Sequence, residues 1–183
     1  MEFFDTNSLA FGEIIRLQGE GKEISSSTER IVVRVKESFY IHDISGRHLN
    51  TIDEPTVTDS LMHLHIGHYG NITYNDRYSI YCMSLDGEMK WTYKNKEETA
   101  WHLCSTSDKK GNVYAFFRNK NRMCILKVLS RNGKLLKIYS WFYKDYASMS
   151  LFQHFLSFDN LHKNLVVFSN GNKYLLRCDM MLL

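Results

Sequence analysis

Three histidines recur in one local setting. His63, His102 and His154 are each followed by an apolar residue, in MHLHIGHYGN (62 to 71), WHLCSTSDKKGN (101 to 112) and QHFLSFDNLHKN (153 to 164). Neutral imidazoles that converge on one point can hold zinc, copper or nickel through their ring-nitrogen lone pairs. The H-x-H-x-x-H of His63, His65 and His68 adds to that reading, because residues i and i+2 of a strand face the same side. Against it stands a structural role. A polar residue repeated once per unit hydrogen-bonds a neighbouring loop without any metal, and no carboxylate or cysteine completes a ligand set. The histidines are therefore expected to be structural and no cofactor is expected, with a metal site at His63, His102 and His154 as the alternative.

Catalytic patterns are scarce. The chain has no GxSxG, P-loop, HExxH or GxGxxG, and the serine run Ser25 to Ser27 lacks the acid and histidine of a triad. A hydrolase or lyase reading would draw on Asp59 and Glu97 or Glu98 to meet the histidines. The balance favours a non-enzyme.

A second kind of chemistry lies in charge and aromatic surface. Residues 109 to 137 hold nine bases and no acid, whereas residues 1 to 60 hold 11 acids against six bases. Arg118, Lys120 and Arg122 in FFRNKNR are placed on a loop where an anionic surface can reach them. The alternative is a solvated edge, since lysines on outer strands deter sheet-to-sheet aggregation. Downstream, SWFYKDYASMSLF (140 to 152) gathers Trp141, Phe142, Tyr143, Tyr146 and Met149 on one connection. Such side chains bury large area at low entropic cost and make binding anchors, or else they fold inward as a plug. The equivalent connections, 53 to 60 and 94 to 100, are polar and partly acidic.

These groups must be positioned by a repeat. SFYIHDISGRHLNTI (38 to 52), SIYCMSLDGEMKWTY (79 to 93) and MCILKVLSRNGKLLKIY (123 to 139) each run apolar strand, glycine turn, strand. Their glycines are Gly46, Gly87 and Gly133, and Ser-Gly, Asp-Gly and Asn-Gly between alternating strands are hairpin signals. Before each lies a β-rich piece: RIVVRV (30 to 35), NITYND (71 to 76), NVYAFF (112 to 117) and, near the end, NLVVFS (164 to 169). The histidine segments precede the last three of these, and KEISSSTER (22 to 30) is the counterpart in the first. Each unit thus holds four short strands, A to D, over roughly 20 to 60, 61 to 100, 101 to 150 and 151 to 183. After YLLRCD (174 to 179) no fourth strand follows, but GEIIRL (12 to 17) reads like a D strand and is expected to complete the last unit.

The pattern resembles β-propeller blades of the NHL and quinoprotein-like kinds, with WD40-like architecture. The motifs that carry the resemblance are Gly70-Asn71-Ile72, Gly111-Asn112-Val113-Tyr114 and Leu85-Asp86-Gly87. The first unit has Glu29-Arg30 in place of Gly-Asn, the fourth has Lys163-Asn164, and Trp91 recurs in no other D strand. The resemblance implies an all-β, four-bladed propeller of four-stranded antiparallel blades, closed by the N-terminal strand. A β-sandwich, or a half-propeller completed by a second chain, stays open.

With 183 residues, 44% of them hydrophobic, the chain is long enough for a single core and is not disordered in composition. No apolar run reaches a membrane span and the opening MEFFDTNSLA lacks a secretory pattern, so a cytoplasmic location is expected. Cys82, Cys104, Cys124 and Cys178 form no CxxC pair and are expected as free thiols. The reading reached is a non-enzymatic protein-binding module. Its partner surface is expected at Trp141, Phe142, Tyr143, Tyr146, Arg118, Lys120 and Arg122; the basic third unit offers a further contact for an anionic surface, while nucleic acid and membrane are not expected. The alternative is metal or anion binding at the axial opening.

Overall fold

Two residues per rung, one to each side, is the arithmetic of a strand, and RIVVRV puts apolar side chains on both sides at once. That is the signature of a strand covered on both faces. In the computed structural model, which describes residues 2–5, 10–14, 19–53, 63–76, 78–95, 100–121, 123–142, 154–159 and 164–169, this segment is the second strand of a four-stranded antiparallel sheet. The sheet comprises β3 (Gly21–Ser26), β4 (Arg30–Val35), β5 (Ser38–Asp43) and β6 (His48–Asp53). The next comprises β7 (His63–Ile66), β8 (Ile72–Asn75), β9 (Ser79–Met83) and β10 (Met89–Lys94). The third comprises β11 (Ala100–Ser107), β12 (Val113–Asn119), β13 (Met123–Leu129) and β14 (Leu135–Phe142). All three have strand order A-B-C-D with nearest neighbours paired antiparallel.

The innermost strands run side by side: β3 beside β7, β7 beside β11, and β11 beside β15 (His154–Asp159). Between the first two sheets, Val32, Phe39, Ile41 and Ile52 meet Leu64, Ile66, Ile72, Tyr74 and Met83. Between the second and third, Ile80, Trp91 and Tyr93 meet Val113, Ala115, Phe117, Ile125 and Leu129. The core is thus a series of layers between sheets, which is why B and C strands such as β4, β12 and β13 are buried on both faces while β3 and β10 alternate.

The turn glycines do specific work. Gly46, Gly87 and Gly133 take φ of +90°, +88° and +76° and donate to Asp43, Ser84 and Ser130 carbonyls at 3.0, 3.1 and 2.8 Å. Gly70 and Gly111 of the Gly-Asn motifs do the same in A–B turns, at φ of +72° and +81°. The motif therefore marks a left-handed backbone position that other residues adopt at a cost.

Of the expected strand at 12 to 17, residues 12 to 14 lie in β2 (Ala10–Ile14) and 15 to 17 lie outside the described residues; β2 pairs with β1 (Glu2–Asp5), a strand the sequence pattern did not reveal. Among the described residues, β15 and β16 (Asn164–Ser169) form a separate two-stranded sheet, and no ladder joins it to β2. The described residues thus form three four-stranded sheets and two two-stranded ones. YLLRCD lies outside the described residues.

Candidate functional site

The repeated histidines do not all share one rung. Counted from the first apolar residue of each B strand, His63 stands opposite Asn75, three residues after Ile72. His102 and His154 stand opposite Phe117 and Ser169, four residues after Val113 and Leu165. The ladder shifts between His102 and Cys104 in β11, and between Gly21 and Glu23 in β3, at the Lys22 that sequence alignment matched to the histidines. Aligning the His-apolar pairs hides this shift, because the bulge leaves no mark in composition.

His63 instead works between sheets. Its Nδ1 accepts from the Ser105 backbone N–H at 3.4 Å, three residues along β11 from His102. Two residues on, His65 Nε2 and Ser107 Oγ share a hydrogen bond of 2.9 Å. On the other flank, the Ile66 N–H donates to Ser25 Oγ of β3 at 3.0 Å. Burial holds both imidazoles well below the usual histidine range, at about 4, with His65 lowered further by His63. They are neutral hydrogen-bonding groups at physiological pH. Among the described residues, no group of three His, Cys, Asp or Glu side chains is placed to hold a metal. His68, by contrast, is exposed on the A–B turn.

The basic and aromatic candidates converge on the third sheet. Trp101 pairs with Arg118, Arg118 with Cys124, and Cys124 with Trp141, so one rung carries all four across the sheet. Arg118 lies within β12 rather than on the following loop; Lys120 is exposed on the turn itself. The Trp141 ring is half-buried and tilts against Phe116 at 5.8 Å between centroids. Burial raises the Cys124 thiol, and the neighbouring Arg118 cation opposes that shift. The B–C turn and the last residues of β14 therefore lie at one end of this sheet. Phe142 closes β14, while Arg122, Tyr143, Tyr146, Asp59, Glu97 and Glu98 lie outside the described residues.

A buried cation was missed by sequence reasoning. Lys127 is 3% exposed, donates to Asn95 Oδ1 at 2.7 Å, and lies 5.2 and 5.9 Å from the Phe117 and Tyr93 ring centres. Its place in a run of apolar residues, CILKVL, was the available signal. Cys82, Cys104 and Cys124 are free and buried, and desolvation raises the Cys82 thiol to about 11.

No family model matches the chain, and no curated protein matches it by sequence. Solved structures do match in fold. BBS1N in complex with ARL6DN is 11% identical, with 91% of this chain and 53% of that one covered at a TM-score of 0.60. A chain of the Mitotic Checkpoint Complex is 9% identical, with 75% and 44% covered at 0.57. A protein of unknown function from Bacteroides caccae is 13% identical, with 93% and 65% covered at 0.51. The chain thus spans less than two thirds of the length of each. The likeness is one of fold, and the fold is that of β-propellers in general, without a distinction of NHL or quinoprotein-like repeats.

Proposed function

We propose that this chain is a non-enzymatic, cytoplasmic protein-binding module built on propeller blades. Its partner surface is the end of the third blade where Arg118, Lys120 and Trp141 lie, continued by Arg122, Phe142, Tyr143 and Tyr146. One observation carries the reading: the rung Arg118–Cys124–Trp141 joins the basic and the aromatic candidates, which are 23 residues apart in sequence, on one edge. A cation beside an aromatic anchor is the composition of binding hot spots. The solved propellers BBS1N with ARL6DN and the Mitotic Checkpoint Complex chain both stand in assemblies with protein, which fits the class. His63 and His65, in this reading, serve blade cohesion. Closure of the last blade by the N-terminal segment belongs to the same proposal.

The test is affinity capture from native cells with the tagged chain and with Trp141→Ala combined with Tyr143→Ala. The double variant should lose the stoichiometric protein partner while its circular dichroism and melting stay unchanged. Capture at wild-type level would remove this surface.

A further inference from the structure

The outer strand of the third blade is built differently from its counterparts. In β6, Ile52 is only 8% exposed and Asn50 donates to the Leu85 carbonyl of the next blade at 3.1 Å. In β10, Trp91 and Tyr93 pack into the next blade's cluster, and Trp91 Nε1 donates to the Arg131 carbonyl at 2.8 Å. One face of each strand is thus covered. Residues 134 to 138 of the third blade are instead exposed without interruption: Leu135 is 37%, Leu136 43% and Ile138 48% exposed, with Lys134 and Lys137 between them. Counted from the turn glycine, Lys137 stands where Asn50 and Trp91 stand.

This strand is also an edge of its sheet: among the described residues β14 pairs only with β13. Exposed apolar residues on such an edge are a template for strand addition. The charge is of one sign: Arg131, Lys134 and Lys137 are basic, and residues 131 to 142 contain no acid. The ladder to β13 shifts at Leu136, between the Val128–Lys137 and Leu129–Leu135 pairs, and regular alternation resumes from Lys137.

We infer that β14 is a docking edge for an extended acidic protein segment, which adds to the blade as a fifth strand, apolar side chains on Leu136 and Ile138 and carboxylates on Lys134 and Lys137. A single-stranded nucleic acid fits less well, because it needs successive aromatic platforms, and Leu135 to Ile138 offer none. The docking stretch Lys134 to Ile138 lies at the opposite end of β14 from Trp141 and Phe142, so substitutions at 134 to 138 leave the residues of the other surface in place.

The probe is a capped, fluorescein-labelled octapeptide of alternating glutamate and valine, titrated by anisotropy at low salt, with a lysine–valine octapeptide as control. The acidic peptide should bind saturably and protect the outward-facing amides of 135 to 139 from hydrogen exchange, and the basic one should not bind. Leu136→Thr with Ile138→Thr, and separately Lys134→Gln with Lys137→Gln, should each weaken binding at least tenfold with the melting curve preserved. If a pair fails to fold, Lys137→Gln alone should weaken binding severalfold. Binding without amide protection would reduce the site to electrostatic adhesion and overturn strand addition. Tighter binding of oligo-dT than of the peptide, or self-association that the Thr variants abolish and the peptide fails to compete, would overturn the acidic segment as occupant.

Discussion

Trp91 and Gly133 are in contact across the second and third blades so tightly that a Cβ on the glycine would stand 2.7 Å from Cδ2 of the indole. The same ring donates through Nε1 to the Arg131 carbonyl two residues before that glycine. Asn50 and Leu85 repeat the relationship one blade earlier, and a Cβ on Gly87 would stand 3.1 Å from Ile52. The D strand of one blade is thereby fastened to the C–D turn of the next.

Gly133→Ala should destabilise the chain more than Gly70→Ala. Both glycines have nearly equal positive φ, +76° and +72°, so the backbone cost of about 1–2 kcal/mol is shared. The difference is the neighbour: a rigid indole at Gly133, a flexible Leu85 side chain 3.2 Å from Gly70's added Cβ. Urea titrations of the two variants measure it, and equal midpoints would show that the ring moves freely.

Stability should rise towards neutrality because two buried histidines outweigh one carboxylate that acts the other way. His63 and His65 titrate at about 4 when folded, below their ordinary 6.5, so the unfolded chain binds more protons between those values and stability falls as pH drops through that window. Glu23 is raised by burial from 4.5 to about 7, with Arg34 opposing, so the folded chain binds more protons between those values and its contribution is lost as pH rises through that range. The two effects overlap, so melting temperature should rise from about pH 4 to about 7 and level off above it. Glu23→Gln should steepen the rise, and His65→Gln should flatten it.

Asn95→Ala should cost more than Lys127→Met. Removing the acceptor takes the 2.7 Å partner from a buried ammonium; a hydrogen bond to a charged group contributes about 1.5–3 kcal/mol, and part of the cation's desolvation cost adds to it. Methionine replaces the cation with an apolar chain of similar length, leaving a neutral amide at about 1–3 kcal/mol. Chemical denaturation of both variants gives the order, and the reverse order would mean that the ammonium reaches water.

Asp108→Ala should loosen the third blade's A–B turn. Its carboxylate accepts from the Lys110 and Asn112 backbone N–H groups, from Asn112 Nδ2 and from the Tyr114 hydroxyl, all at 2.9 to 3.0 Å. Losing this set should cost about 2–4 kcal/mol, at about 1 kcal/mol or less for each bond. Amide exchange at 109 to 113 should accelerate; unchanged exchange would place the stability of the turn in Gly111 alone.

Much of this was legible in the sequence because turns and strand faces have local causes. Gly46, Gly87 and Gly133 announce positive φ, and RIVVRV announces a strand covered on both sides. β1 was not legible, since EFFD offers too few residues to show a period. Nor was the rung of the histidines, since a bulge depends on the neighbouring strand and leaves His-apolar spelling intact. The Arg118–Trp141 rung required knowing how β12, β13 and β14 pair, a relation that spans both hairpins.

The ladder shifts in β3 and β11 sit at the entrance of the strand, on the side where connections between blades arrive, while the Gly-Asn turn lies at the far side. A residue gained or lost near Leu103 can be absorbed there as a local change of phase, leaving the pairing from Cys104 to Ser107 unaltered. The fold thus insulates its assembly bonds, at Ser105 and Ser107, from length drift in the connections before them. Those connections can diversify freely in size and chemistry while neighbouring blades keep their grip.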